Sequence, residues 1–324
     1  VLTWSEEFFH IVKSTLATAW LLLLITTGVV ASGAFFERRT WCRYLCPLGG
    51  MAAIFSRTGL FQLRGSRHKC IKCNSVECYK GGKEAPGCSM FEFPRILDSN
   101  ANCNLCGACV KNCPNDSLVV SARIPASELW SISKPRLDES SFVAIMAGIL
   151  LMLNTMEIAG EWLPAFLGRG NEKLGFTLLL IAAAVLPSAV ILAAAKAASR
   201  QDHLSTKANF TQFGYALIPV VLAAHLGHTG KEFLEKGLLI PASLGFLPSQ
   251  AAGGTVKPYL LSSEGILVLH LLVLGVGLLL SLYAAWRLAR ARFRPERRAA
   301  FMIPFVVLAV AFTGLNMILV LAGD

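Results

Sequence analysis

Eight cysteines lie between positions 70 and 113, and their spacing is typical of iron–sulfur ligation. The last four form the run Cys103-x2-Cys106-x2-Cys109-x3-Cys113, which is followed by Pro114. This run is the bacterial ferredoxin pattern for [4Fe–4S] clusters, which move single electrons. Cysteines kept free for iron also indicate a reducing compartment rather than a disulfide framework.

The first half of the set reads Cys70-x2-Cys73-x4-Cys78, and Cys88 follows after nine residues. In two-cluster domains the fourth cysteine of one run ligates the other cluster. With that crossing, one cluster takes Cys70, Cys73, Cys78 and Cys113, and the other takes Cys88, Cys103, Cys106 and Cys109. A pair of zinc sites is the alternative, since C-x2-C sets also bind zinc. The x2-x2-x3-Pro run is not an ordinary zinc spacing, so the sequence favours two [4Fe–4S] clusters.

The chain around these cysteines has the composition of a membrane protein. It has 324 residues, of which 54% are hydrophobic and only 15% charged, whereas soluble domains carry about 25% charged residues. A membrane-spanning helix takes roughly 20 mostly apolar residues. Six segments qualify: about 13–36, 141–163, 174–195, 210–229, 263–286 and 300–322.

The pattern predicts an α-helical polytopic membrane protein with about six transmembrane helices and an inserted bacterial-type 2×[4Fe–4S] ferredoxin domain. Residues 1–36 hold the first helix, and 37–140 hold the polar, cysteine-rich insert. Residues 141–324 form a five-helix membrane domain. The net charge of +10 comes from basic residues beside the apolar runs, where they orient helices. We therefore expect the lipid bilayer, and not nucleic acid, as the partner of these charges.

The basic clusters follow the first, third and fifth predicted helices, at 38–69, 196–200 and 287–298. If the six segments alternate, all three clusters fall on one side. The positive-inside rule makes that side the cytoplasm of a bacterial inner membrane, so the ferredoxin domain is expected to be cytoplasmic. The chain then starts outside, and we expect an upstream helix beyond this sequence to precede it.

Two further cysteines, Cys42 and Cys46, follow the first helix in a C-x3-C-P box. Four residues apart at a helix end, they could form a redox disulfide, bind a metal or relay electrons. Buried small apolar residues at a membrane-edge turn are the structural alternative. The sequence leaves these readings open.

The segment from Arg39 to Gly50, with the sequence RTWCRYLCPLGG, combined with the doubled cysteine motif, resembles the polyferredoxin-like membrane proteins. This family includes the iron–sulfur membrane subunit of periplasmic nitrate reductase systems and the C-terminal half of the nitrous-oxide-reductase regulator. The resemblance covers roughly residues 15–125. Members commonly carry two C-x3-C-P boxes, whereas this chain shows one. The resemblance implies electron transfer in a membrane and a redox or metal role for Cys42 and Cys46.

Three histidines lie within the predicted spans: His225 and His228 on the fourth, and His270 on the fifth. Ionisable residues inside a spanning helix indicate function by default. Imidazoles on two adjacent helices suit haem b, another metal or quinol proton transfer, and hydrogen bonding between helices is the structural alternative. Glu157 and Glu161, near the outer end of the second predicted helix, could accept protons from a quinol.

The sequence shows no Gly-rich nucleotide loop, nucleophile triad or HExxH box, so it predicts an electron-transfer component rather than a stand-alone enzyme. The expected role is a membrane-bound subunit that passes electrons between cytoplasmic clusters, the quinone pool or a cytoplasmic donor, and a partner redox protein on the outer side. The alternative is a maturation or regulatory factor. It would supply electrons to assemble or reactivate a metalloenzyme, for example one that holds copper.

Overall fold

The computed structural model describes residues 14–36, 39–131, 135–160, 162–168, 170–238 and 260–323. The chain divides into two compact units, Val1–Lys134 and Pro135–Asp324. Within the described residues, six helices are long and apolar enough to cross a membrane. This confirms the six predicted spans, although Glu161 lies outside the described residues.

The first unit begins with helix α1 (Thr15–Phe35), where the Ser14 hydroxyl accepts the Ala17 N–H at 3.3 Å. Serine at this position satisfies an amide that the helix leaves unpaired. A π-helical turn, Trp41–Leu45, and a short helix, Pro47–Phe55, follow. Large side chains of α1 such as Trp20 and Leu24 are exposed, as lipid contact requires.

A two-stranded antiparallel sheet holds the cysteine-rich part together. Strand β1 (Phe61–Gly65) pairs with β2 (Leu118–Ala122), so that Phe61 lies opposite Ala122 and Gly65 opposite Leu118. Four short helical segments lie between the strands, at Arg67–Ile71, Glu77–Lys80, Pro94–Ile96 and Ala108–Lys111. The sheet therefore brings the two ends of the cysteine motif side by side.

Beyond β2, the short helix Glu128–Ser131 carries a buried carboxylate. Glu128 accepts hydrogen bonds from the Arg64 guanidinium at 2.9 Å and from the Asn100 N–H at 2.8 Å. It also pairs with Arg123. A charge buried in this way is stable only when it is paired and hydrogen-bonded. Glu128 thus joins both strands to the loop that precedes Cys103.

The second unit is a helical bundle. Helix α2 (Leu137–Ala159) is followed by the short helix Trp162–Leu167, and then by α3 (Glu172–Asp202) and α4 (Thr206–Lys236). Helices α5 (Ser263–Arg292) and α6 (Arg298–Gly323) complete it, with the 3-10 turn Pro295–Arg297 between them. Helix α4 contacts α2, α3, α5 and α6 and is the most buried of the five.

The central position of α4 explains its many buried polar and small residues. Its Val220 N–H, next to Pro219, donates to the Ser281 hydroxyl of α5 at 3.0 Å. Proline disturbs the helical ladder, and a neighbouring helix can satisfy the freed amide inside a membrane. Gly227 of α4 lies so close to the His270 ring of α5 that a Cβ there would overlap it. The His270 ring of α5 therefore packs directly against the backbone of α4 at this level.

Candidate iron–sulfur centres and membrane histidines

The structure gathers the eight ferredoxin-type cysteines into two sets of four. Cys70, Cys73, Cys78 and Cys113 line one cavity, which we call the first centre. Cys88, Cys103, Cys106 and Cys109 line another, which we call the second centre. These are the two groupings that the crossed ferredoxin pattern predicts, since each centre takes one cysteine from the other half of the motif.

The four cysteines of each set line a cavity and do not meet at a single metal position. In the residues that the structure describes, no three His, Cys, Asp or Glu side chains converge closely enough to hold a single metal ion. All ten cysteines are free thiols. Four thiols lining one cavity fit the ligand chemistry of a cubane cluster.

The backbone leaves room at the first centre. A Cβ at Gly65, the last residue of β1, would lie 3.0 Å from both Cys70 Sγ and the Leu118 side chain. A larger residue would crowd the sulfur, so glycine keeps this wall of the cavity open. The core between the centres is formed by Leu63, Leu118 and Cys109, against which Cys78 and Cys113 also pack.

Burial and hydrogen bonding give the thiols different acidities. Burial raises the pKa of the Cys109 thiol to about 12 and also raises the pKa values of Cys78 and Cys103. The Ser75 hydroxyl, which lies 3.5 Å from Cys73 Sγ, lowers the pKa of that exposed thiol. Iron binds thiolates, so cluster assembly must remove protons from the buried cysteines.

Polar contacts hold the sulfurs of the first centre in place. Ser117, 5% exposed, places its hydroxyl 3.2 Å from Cys70 Sγ. Its backbone N–H donates to Cys113 Sγ at 3.2 Å. Ser117 therefore bridges one cysteine from each half of the motif. Sequence reasoning missed this residue, because its role depends on the pairing of β1 with β2.

The C-x3-C-P box lies beside the second centre. Arg43 stacks over the Phe91 ring at 4.9 Å, and the Arg39 guanidinium contacts the side-chain amide of Asn104. Asn104 lines the second centre. Cys42 is exposed and Cys46 is half-buried, and the structure does not join them. Both thiols are free, and the redox or metal role that the family resemblance implies for them stays a prediction.

In the membrane bundle, His228 of α4 takes part in a buried polar chain that crosses three helices. Its Nδ1 lies 2.9 Å from Asn154 Oδ1 of α2. Asn154 Nδ2 donates to Asn316 Oδ1 of α6 at 3.0 Å, and Asn316 Nδ2 donates to the Phe312 carbonyl at 2.9 Å. Asn154 is 2% exposed and Asn316 is fully buried.

This chain fixes the tautomer of His228. The Phe312 carbonyl can only accept, so the amide nitrogen of Asn316 faces it and its oxygen faces Asn154. The oxygen of Asn154 then faces His228, whose Nδ1 must donate. In the neutral ring Nε2 is left as the acceptor. The arrangement presents a lone pair that could take a proton or bind a ligand.

The other residues predicted near this site have separate surroundings. Glu157 pairs with Lys231 at 3.2 Å, one turn along α2 and α4 from Asn154 and His228. His225 is half-buried, and His270 is buried against Gly227. In the part of the chain that the structure describes, the three histidines do not form a set that could hold one metal ion, and their role at a haem or quinone site stays a prediction. Asn154, Asn316 and Lys231 were not foreseen, because isolated polar residues in apolar runs do not reveal their partners.

Comparison with known proteins places the N-terminal region among iron–sulfur proteins. A family model described as a 4Fe-4S binding domain matches residues 18–67, which include Cys42 and Cys46 and end before Cys70. The chain is 28% identical over 137 residues to YccM of Escherichia coli strain K12, which is provisionally named an electron transport protein; the match covers 42% of this chain and 33% of YccM.

Two further relatives match shorter stretches. An uncharacterised protein of Methanocaldococcus jannaschii is 35% identical over 102 residues, or 31% of this chain and 39% of that protein. Protein NirI of Paracoccus denitrificans is 37% identical over 65 residues, or 20% of this chain and 9% of NirI. The chain thus spans about a third of the length of the first two relatives. No solved structure is significantly similar.

Proposed function

We propose that the chain, which matches a 4Fe-4S binding domain over residues 18–67 and is similar to YccM and NirI over part of its length, is the electron-transfer subunit of a membrane oxidoreductase. Two [4Fe–4S] clusters on the cytoplasmic side would exchange electrons with the quinone pool and with a partner redox protein on the outer side. The observation that carries this proposal is the pair of four-cysteine cavities, each completed by a cysteine from the other half of the motif.

Within this proposal, the first centre holds one cluster through Cys70, Cys73, Cys78 and Cys113, and the second holds the other through Cys88, Cys103, Cys106 and Cys109. The clusters supply one-electron chemistry at cysteine sulfur. The protein supplies the crossed loops, a dry core and hydrogen bonds to the sulfurs. Leu118 lines the first centre, Leu63 lines the second, and both belong to one buried apolar cluster, so the two centres share a core across which electrons could pass.

Iron counting with cysteine variants tests the clusters. Purified protein should hold about eight iron atoms per chain, and Cys113→Ser or Cys88→Ser should reduce the content to about four, since each removes one ligand of one [4Fe–4S] centre. Low-temperature EPR of the reduced protein should lose one of two coupled signals in each variant. Cys46→Ser, outside both centres, is the matched control. Zinc in place of iron would refute the proposal.

We assign the quinone contact to His228, whose half-buried ring is held by Asn154 with Nε2 as the acceptor. Oxidation of a quinol releases two protons and two electrons. One proton could pass from a quinol hydroxyl to Nε2 and the other to water, while the two electrons reduce the two clusters by one electron each. His228→Gln should slow cluster reduction by a water-soluble quinol at least tenfold and leave reduction by dithionite unchanged. Thr229→Val, on the same turn of α4, is the control. Equal rates of cluster reduction by the quinol in His228→Gln and Thr229→Val would show that His228 is not the quinone site.

A maturation factor is the second candidate, because Cys42 is exposed and both box thiols are free. Such a factor would use the pair to handle copper or a thiol while the clusters supply electrons. Cys42→Ala with Cys46→Ala separates the two roles. If steady electron flow continues while the metal content of the partner enzyme falls, the maturation role is correct. If flow stops and the metal content is normal, the electron carrier is correct.

A further inference from the structure

The two centres differ in the hydrogen bonds that reach their sulfurs. At the first centre, Ser117 contacts Cys70 and Cys113, and the Ser75 hydroxyl contacts Cys73. At the second centre, the contacts of this kind in the described residues come from backbone N–H groups, those of Leu105 toward Cys103 and of Cys109 toward its own sulfur, and none comes from a side-chain hydroxyl. Otherwise the second cavity is walled largely by apolar side chains such as Met90, Leu97 and Val120.

The direction of the Ser117 hydroxyl follows from its other partner. Ser117 Oγ accepts the Ser66 N–H at 3.0 Å, so its own hydrogen remains to be donated. Cys70 Sγ lies 3.2 Å away and the Ser66 carbonyl 3.3 Å away. A cysteine that ligates iron is a thiolate, which accepts more strongly than a neutral carbonyl. With a cluster bound, Ser117 therefore donates both its hydroxyl and its backbone N–H to sulfur.

Such bonds favour the reduced state of the cluster. Reduction adds one negative charge, which spreads over the sulfurs, and a donor pointed at sulfur stabilises it. Because Ser117 is 5% exposed, water does not weaken the effect. Hydrogen bonds to cysteine sulfur thus raise the reduction potential of the cluster they serve.

Charged groups do not reverse this difference. Arg95 and Glu77 both line the first centre, while Glu92 lines the second and Arg39 contacts its loop. Each centre therefore has both an acidic and a basic side chain nearby. Lys69, which donates to the Asn115 carbonyl beside the first centre, adds to the stabilisation there. The hydrogen bonds remain the main distinction.

We propose that the two clusters have unequal potentials, with the first centre the higher, and that Ser117 is the residue that sets it. An electron shared between the clusters then resides on the first centre. The second centre, next to the C-x3-C-P box, is the one that passes electrons on to it. This inference rests on the two clusters of the proposed function, and it adds the order of their reduction potentials.

The test is an EPR-monitored redox titration of the whole purified protein in detergent. The unmodified protein should show two separate midpoints. Ser117→Ala should shift the higher midpoint downward and leave the lower one in place, and Ser117→Thr, which keeps the hydroxyl, should restore it. Ser75→Ala, at an exposed position, should produce a smaller shift of the same midpoint. Ser66→Ala removes a neighbouring exposed hydroxyl that does not contact sulfur, and both midpoints should stay unchanged.

Iron content separates the possible failures. Absence of clusters from the unmodified protein would overturn the proposed function itself. Two clusters with one common midpoint, or a Ser117→Ala shift of the lower midpoint, would overturn only the order inferred here. If Ser117→Ala alone loses its iron, the unmodified protein and Ser75→Ala decide. One common midpoint in the unmodified protein, or an unshifted higher midpoint in Ser75→Ala, would then overturn the inference.

Discussion

Arg64 Nη2 lies 2.9 Å from Glu128 Oε1, although the two residues are 64 positions apart. The Glu128 side chain is 2% exposed, and that of Arg64 is 29% exposed. Arg64 belongs to β1, whereas Glu128 follows β2. Their bond closes the segment that contains all eight ferredoxin-type cysteines, and the same carboxylate receives the Asn100 N–H just before Cys103.

Removing the acidic partner of this pair should therefore destabilise the cluster domain. Glu128→Ala leaves the buried Arg123 guanidinium without its carboxylate, and breaking a buried ion pair costs about 3–5 kcal/mol. The expected result is a lower temperature for loss of the visible cluster absorbance. Asp138→Asn breaks an exposed pair with Arg136, whose side chains are 63% and 64% exposed, and should cost at most about 1 kcal/mol. Equal effects of both variants would contradict this role of Glu128.

The amide partner of His228 should matter as much as the histidine. Asn154→Leu removes the acceptor of Nδ1–H and frees the ring to adopt the other tautomer, in which Nε2 donates. Quinol-driven cluster reduction should fall about tenfold, which is less than the 10²–10⁴-fold contribution of a positioned acid–base group because the histidine itself is kept. Asn154→Asp keeps an acceptor and should retain more activity. Stopped-flow measurements at a fixed quinol concentration give the rate of cluster reduction in both Asn154 variants. A higher rate in Asn154→Leu than in Asn154→Asp would argue against a fixed tautomer of His228.

The packing of His270 predicts a spectrum without haem. Its ring lies against the backbone of Gly227, so α4 and α5 leave no gap there for a porphyrin between His270 and the histidines of α4. The dithionite-reduced protein should show broad iron–sulfur bleaching and no haem b bands. If haem bands do occur and disappear in His270→Ala or His228→Ala, the packing argument is wrong and a haem site replaces the quinone site.

The positive-inside rule predicts which loops a membrane-impermeant maleimide reaches in intact cells. Glu296→Cys, in the arginine-rich turn between α5 and α6, should stay unlabelled until the membrane is permeabilised. Ser263→Cys, at the start of α5, should be labelled from outside. The labelling of each variant is compared with that of the unmodified protein, whose exposed Cys42 and Cys106 lie on the predicted cytoplasmic side. The reverse pattern would invert the whole topology, because the rule orients all loops together.

The sequence by itself determined the parts of this protein that depend on local pattern. The x2-x2-x3-Pro run identifies iron–sulfur chemistry, because three ligands of a cubane come from one tight loop. The apolar runs identify the spans, because a helix in lipid must satisfy its backbone internally over a fixed thickness. The structure shifts the ends by a few residues: α2 begins at Leu137 and α4 continues to Lys236.

Tertiary structure alone decided which distant residues meet. Ser117 contacts Cys70 only because β1 and β2 pair in one register, and a shift of that register would separate them. Asn154, His228 and Asn316 come from three helices whose rotation is set by packing around α4, which no single apolar run encodes. The spacing of the cysteines therefore identifies the cluster ligands. The residue that adjusts the reduction potential of a cluster, Ser117, and the residue that orients a histidine, Asn154, are found only from contacts between distant parts of the fold.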